Sequence, residues 1–156
     1  PLLMYVPEGT ITVPVQPITK PVWKPAFRGH GGSWGSKTYQ KFLKEIGMPL
    51  AAAVEDIDML WQPLEVSLEV RPKAPKKSKF PFPQGDVDNF SKAILDACTD
   101  VLWIDDWQVQ TEHIHKDWAE PGDDGWFSVS WKVLDWDLDE WVIFNERKLG
   151  KELADG

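Results

Sequence analysis

The stretch Leu64-Glu-Val-Ser-Leu-Glu-Val-Arg-Pro72, read as one strand, sets the tightest limit on the fold. Side chains of a strand point alternately to opposite faces, so this spacing puts Leu64, Val66, Leu68 and Val70 on one face. Glu65, Ser67, Glu69 and Arg71 fall on the other, which is the pattern of a half-buried strand. Around it, Thr10–Ile18 mixes Ile and Val with prolines and reads as an edge strand running out into a loop. Tyr39, Phe42, Leu43 and Ile46 follow helical spacing, Gly47-Met-Pro49 predicts an interruption, and Leu50–Leu60 a second helical piece. A helix opens at Asp88, which can cap it, with Phe90, Ala93, Ile94 and Ala97 as its apolar stripe. Strands are expected at Gln108–Lys116 and Gly125–Val133, joined by the turn-rich Asp117–Asp124. The order β-α-β-α-β-β gives an α+β class with a mainly antiparallel or mixed sheet flanked by helices. Residues 1–134 are read as one domain, and the acidic segment 135–156 as an extension forming a peripheral helix.

The net charge of −8 argues against nucleic acid only until it is divided along the chain. Residues 1–85 carry 11 Lys and Arg against 7 Asp and Glu, whereas residues 86–156 carry 6 against 18. Phosphate binding depends on where cations cluster, so a basic surface drawn from the first half leaves DNA open as a partner. Ten tryptophans exceed what a core of this size needs, which points to an interface or a ligand. The single cysteine, Cys98, excludes an internal disulfide and a cysteine zinc site, and because it follows an apolar helix it is expected to be buried and inert. No apolar run reaches membrane-spanning length, and a cytoplasmic setting is expected.

Six aspartates lie between Asp86 and Asp106, at 86, 88, 96, 100, 105 and 106, with Lys92 among them. Carboxylates repel one another, so their concentration means either a solvated acidic face or a cation site. Asp86 and Asp88 at a helix mouth, with one of Asp105 and Asp106 returning beside it, would suit a hard divalent ion such as Mg²⁺. Lys92, one turn beyond Asp88, can reach the same place and stabilise charge on a phosphate. A calcium-binding EF-hand loop starting at Asp86 fails, because Phe90, Ser91 and Ala97 occupy its ligand and glycine positions. An aspartyl-phosphate motif fails because no buried hydrophobic strand leads into Asp86.

The run Asp86-Val-Asp88-Asn89, Lys92, Asp96-Ala97, Asp105-Asp106, Gln108 and Lys116 resembles the signature of RusA-type Holliday junction resolvases, many of them encoded by phages. The resemblance implies a homodimeric, Mg²⁺-dependent endonuclease, with Mn²⁺ able to substitute, that cuts two strands of a four-way DNA junction symmetrically. Carried over by motif, Asp86, Asp88 and Asp106 are catalytic and metal-binding. Lys92 assists, Asp105 is a further metal candidate, and Asp96 packs or hydrogen-bonds within the fold. This chain departs from the family in its acidic, tryptophan-rich C-terminal region. Other readings remain a nuclease acting on flaps or forks and a junction-binding protein without catalysis.

Lys73, Lys76, Lys77 and Lys79 precede the aspartates and are candidate phosphate contacts, as is Lys116. Thr19–Lys37 is a long basic loop, in which Lys24 and Arg28 are candidate DNA contacts and Trp23, Phe27 and Trp34 candidate stacking groups. His113 and His115 alternate on one strand face and are expected to pack there.

Overall fold

The computed structural model describes residues 2–21, 33–77, 80–135, 137, 139–140, 142–143, 146–147 and 150, with the backbone alone for 33–36. Strand β1 (Glu8–Val13) is followed by helix α1 (Ser33–Ala53), strand β2 (Leu64–Arg71), helix α2 (Val87–Cys98), strand β3 (Val109–Lys116) and strand β4 (Trp126–Val133). The α+β order read from the sequence is the order observed. The four strands form one mixed sheet in the order β1-β4-β2-β3. β4 pairs antiparallel with both β1 and β2, while β2 and β3 run parallel. Parallel neighbours need a crossover connection, and α2 lies in that connection.

β2 sits in the middle, and its alternation decides the layering. Leu64, Val66, Leu68 and Val70 are buried, together with Ile11 and Val13 of β1 and Phe127, Val129 and Trp131 of β4. The same core takes Phe42, Ile46 and Leu50 from α1 and Phe90, Ala93, Ile94 and Cys98 from α2. Each fully buried large aliphatic or aromatic side chain contributes about 1.5–3 kcal/mol. The opposite face carries Thr10, Glu65, Ser67, Glu69, Ser128 and Ser130, with Thr10 and Ser130 hydrogen-bonded at 2.9 Å.

Three expectations change. α1 runs unbroken through Pro49 and stops at Ala53, rather than forming two pieces that reach Leu60. An interior proline costs about 3 kcal/mol, but Ile46 before it and Leu50 after it pack into the same core and outweigh that cost. α1 also begins at Ser33, inside the expected loop Thr19–Lys37. Finally, His113 and His115 do not pack: their side chains are exposed and bond across the parallel pair, to Glu65 and Glu69 at 2.8 Å each. β3 is an edge strand whose polar face has nothing over it among the described residues, so these imidazoles find carboxylates instead of a core. No helix is long and apolar enough to cross a membrane among the described residues.

Candidate active site

The loop before Asp86 is tied down by side chains from the far end of β3. Lys116 Nζ donates to the carbonyls of Pro83 and Gly85 at 2.6 Å each, and Trp118 Nε1 donates to the Phe80 carbonyl at 2.6 Å. Lys116 Nζ also sits 5.8 Å from the centre of the Phe82 ring. A Cβ on Gly85 would come within 2.6 Å of the Phe90 ring and 2.7 Å of Thr19 Cγ2, so only glycine lets the loop after β1 approach the start of α2 this closely. Lys116, a candidate DNA contact by sequence, is thus engaged in positioning the chain ahead of Asp86.

α2 begins one residue earlier than the sequence suggests. Asp86, not Asp88, occupies the N-cap: its carbonyl accepts from the N–H groups of Asn89 and Phe90 at 3.1 Å each, while its side chain makes no capping bond. Asp88 lies in the first turn. Both carboxylates are exposed and, among the described residues, have no hydrogen-bond or ion-pair partner. The positive end of the helix dipole favours negative charge there.

The second aspartate pair sits on a 3₁₀ turn, Asp106–Gln108, immediately before β3. The turn is held from inside by Gln108, which is 1 % exposed. Its Oε1 accepts from the N–H groups of Ile104 and Asp105 at 2.9 and 3.0 Å. Its Nε2 donates to the carbonyls of Leu60 and Gln62 at 3.1 and 3.0 Å. Asp105 caps the turn, its Oδ1 accepting from Asp106 N–H at 2.7 Å. One carboxylate of the pair therefore has a local structural task, and Asp106 is the one that opens onto the surface beside α2.

Asp106 lines a recess of about 380 Å³ together with Lys20, Pro21, Asn89, Lys92 and Asp96. Two of these are not expected at the site: Lys20 reads from the sequence only as a cation of the basic loop, on an alternative DNA path with Lys24 and Arg28, and Asp96 as a residue that packs or hydrogen-bonds within the fold. Lys20, on the loop after β1, donates its backbone N–H to the Asn89 carbonyl at 2.9 Å, and its ammonium pairs with the Asp96 carboxylate. The Lys20 ammonium is held above its ordinary pKa, mainly by the bond to Asp96, with burial opposing. The Asp106 carboxyl is also raised: a hydrogen bond between the Asp106 and Asp105 carboxyl groups contributes most, then burial, then the charges of Asp105 and Asp96, with a backbone N–H opposing. A site that crowds carboxylates in this way favours a cation.

Whether these residues suit a divalent metal has two parts. In kind they do: Asp86, Asp88, Asp105 and Asp106 are hard oxygen donors, and Asp86 and Asp88 are unengaged among the described residues. As placed, they do not enclose one, since no three His, Cys, Asp or Glu side chains are gathered closely enough to hold an ion among the described residues. The structure brings together Asp106, Asp96, Lys20 and Lys92. Asp86 and Asp88 stand at the mouth of the same helix without lining the recess.

Of the candidate DNA contacts, Lys76 and Lys77 are exposed, and Lys73 pairs with Asp124 at 3.3 Å. Lys73 and Lys76 line a larger groove of about 690 Å³ that also takes in Gln16, Pro49 and Asp124. Lys24, Arg28 and Lys79, with Trp23 and Phe27, lie outside the described residues, as does the Trp34 side chain. Cys98 is fully buried, which pushes its thiol up to about 12.

No curated protein matches the chain in sequence. Residues 14–122 match the family described as endodeoxyribonuclease RusA, a span that takes in β1's exit loop, both helices, β2, β3 and every residue of the recess. With most of its length inside that match, the chain belongs to the RusA family of endodeoxyribonucleases.

Proposed function

We propose that this protein is a metal-dependent, structure-selective endonuclease that resolves four-way DNA junctions by paired, symmetric hydrolysis of phosphodiester bonds. The observation that carries the reading is the recess beside α2 that Asp106 and Lys92 line together, within a chain of endodeoxyribonuclease family. Asp86, Asp88 and Asp106, with Asp105 beside them, would hold Mg²⁺, or Mn²⁺ in its place. When bound, such an ion supplies Lewis-acid stabilisation of the charge that builds on the phosphate. Lys92 adds a positive charge at the phosphate oxygens, where charge-assisted hydrogen bonds are strongest. Asn89, which lines the same recess, would help orient the strand. Lys76 and Lys77, with Lys24, Arg28 and Lys79, hold the flanking phosphates, since such contacts set register without reading sequence.

Two symmetric cuts need two active sites, so the working form is a homodimer, and part of the tryptophan excess serves its interface. Residues 1–134 are the nuclease unit and 135–156 an acidic extension, whose charge would repel DNA. The protein acts in the cytoplasm of a bacterium or a phage-infected host. The test is cleavage of synthetic four-way, three-way, flap and linear duplex DNA with and without Mg²⁺. Paired nicks confined to the four-way junction and dependent on the ion are expected. Equal cutting of flaps would make the protein a general debranching nuclease, and binding without cutting would remove catalysis altogether.

A further inference from the structure

We infer that Lys20 is a second phosphate-binding cation of the site, contacting a non-bridging oxygen of the scissile phosphodiester, and that Asp96 is the residue that positions it. The inference rests on the nuclease reading and assigns a task to a pair of residues that the motif does not connect.

Four observations carry it. Lys20 lines the recess that holds Lys92 and Asp106, with its ammonium paired to Asp96 of the same recess, although it comes from the loop after β1, far from α2 in sequence. Its backbone is fixed by the bond from Lys20 N–H to the Asn89 carbonyl at 2.9 Å, so the loop is docked on the first turn of α2. An ammonium has three N–H donors, and Asp96 is its one acceptor among the described residues. Two donors are left for a ligand. Lastly, the pair is a poor structural device: the side chains are 39 % and 35 % exposed, and ion pairs so open to water add little to stability. A carboxylate that holds a long, flexible lysine at the recess makes better physical sense as pre-organisation for an anion.

The recess is balanced for this ligand. Lys20 and Lys92 offset Asp96 and Asp106, so entry of a phosphodiester anion is not opposed by an uncompensated acidic wall. Asp96 retains its hold on one N–H while the phosphate takes the others, and no proton need move.

The experiment uses the full chain and a synthetic four-way junction. Lys20→Met, Lys20→Arg and Asp96→Asn are compared with wild type by thermal melt, by metal-free junction affinity and by single-turnover cleavage in saturating Mg²⁺. Lys20→Met should cut roughly ten- to a hundredfold more slowly, the loss expected for one charge-assisted hydrogen bond to the transition state. Its melting temperature should be unchanged, and its junction affinity within about threefold, because one phosphate contact among many sets the rate more than the binding. Lys20→Arg should recover most of the rate, and Asp96→Asn should fall between. Titration of Mn²⁺ by electron paramagnetic resonance should give Asp96→Asn the wild-type affinity. Wild-type cleavage by Lys20→Met overturns the inference while leaving the nuclease reading intact. So does a clear loss of Mn²⁺ affinity in Asp96→Asn, which would make Asp96 a metal ligand. A wild-type chain that binds junctions without cutting them in Mg²⁺ overturns both.

Discussion

Replacing Gln108 by leucine tests how the second aspartate pair is held. The side chain is buried and makes four hydrogen bonds, two as acceptor and two as donor. Their removal has unequal effects. Ile104 N–H also donates to the Leu60 carbonyl at 3.2 Å, so those two groups keep each other as partners when the amide goes. Asp105 N–H and the Gln62 carbonyl have no second partner among the described residues and become unsatisfied. An unsatisfied buried polar group costs about 1–3 kcal/mol, and leucine returns about 1 kcal/mol of apolar burial, which leaves a net loss of about 3 kcal/mol. At about 2–4 °C per kcal/mol for a chain of this size, the melting temperature should drop by about 6–12 °C. Urea unfolding followed by tryptophan fluorescence gives the free energy, and a thermal melt checks it. Because the turn carries Asp106, junction cleavage should fall further than the unfolded fraction explains. A Gln108→Leu variant within about 0.5 kcal/mol of wild type, the range of an inconsequential surface change, would refute this account of the turn.

Three further outcomes are expected. Asp106→Asn should abolish cleavage yet melt above wild type at neutral pH. The folded Asp106 pKa is raised above 3.8, so its ionisation opposes folding, and the advantage of asparagine should fade as pH falls through the folded pKa; a variant that melts below wild type at pH 7 would contradict this. Cys98, with its thiol pushed up to about 12 by burial, should resist a disulfide reagent at pH 8 in the native state and react fully in urea; rapid native labelling would show that the α2 core opens. Lys76→Ala with Lys77→Ala should flatten the slope of log affinity against log salt by about 0.9 for each phosphate on the duplex arms that is no longer neutralised; an unchanged slope would move the DNA path to the loop after β1.

The legible parts of this fold are those where one residue's neighbours decide its fate. β2 ends one residue short of the expected Leu64–Pro72, and β3 and β4 begin within one residue of expectation, because a period of two reports burial directly. The apolar stripe of α2 likewise marks the face it buries. α1 departs from its sequence pattern because Pro49 is a local signal, while the packing of Ile46 and Leu50 on either side of it is a tertiary one. The N-cap lies at Asp86 instead of Asp88 because both residues suit the position and the docking of Gly85 against Phe90 and Thr19 chooses between them. At the site, the motif spacing picks out the aspartates, Lys92 and Gln108. Lys20 carries no such mark: it reaches Asp96 across a separation of 76 residues, and nothing in its own neighbourhood announces that contact. Lys116 is visible as a cation, but its work on the Pro83 and Gly85 carbonyls is a property of the folded loop.

The central claim is that the carboxylates at the mouth of α2 perform phosphodiester hydrolysis, and Asp88→Asn tests it most directly. The substitution keeps the side chain's size, removes one negative charge, and touches no hydrogen bond among the described residues, so the fold should be unaffected. On an immobile four-way junction in Mg²⁺, the account predicts paired nicks from wild type and none from Asp88→Asn, with junction affinity equal or slightly tighter as repulsion from phosphate falls. Undiminished Mg²⁺-dependent cleavage by a folded Asp88→Asn variant would contradict the assignment of this site.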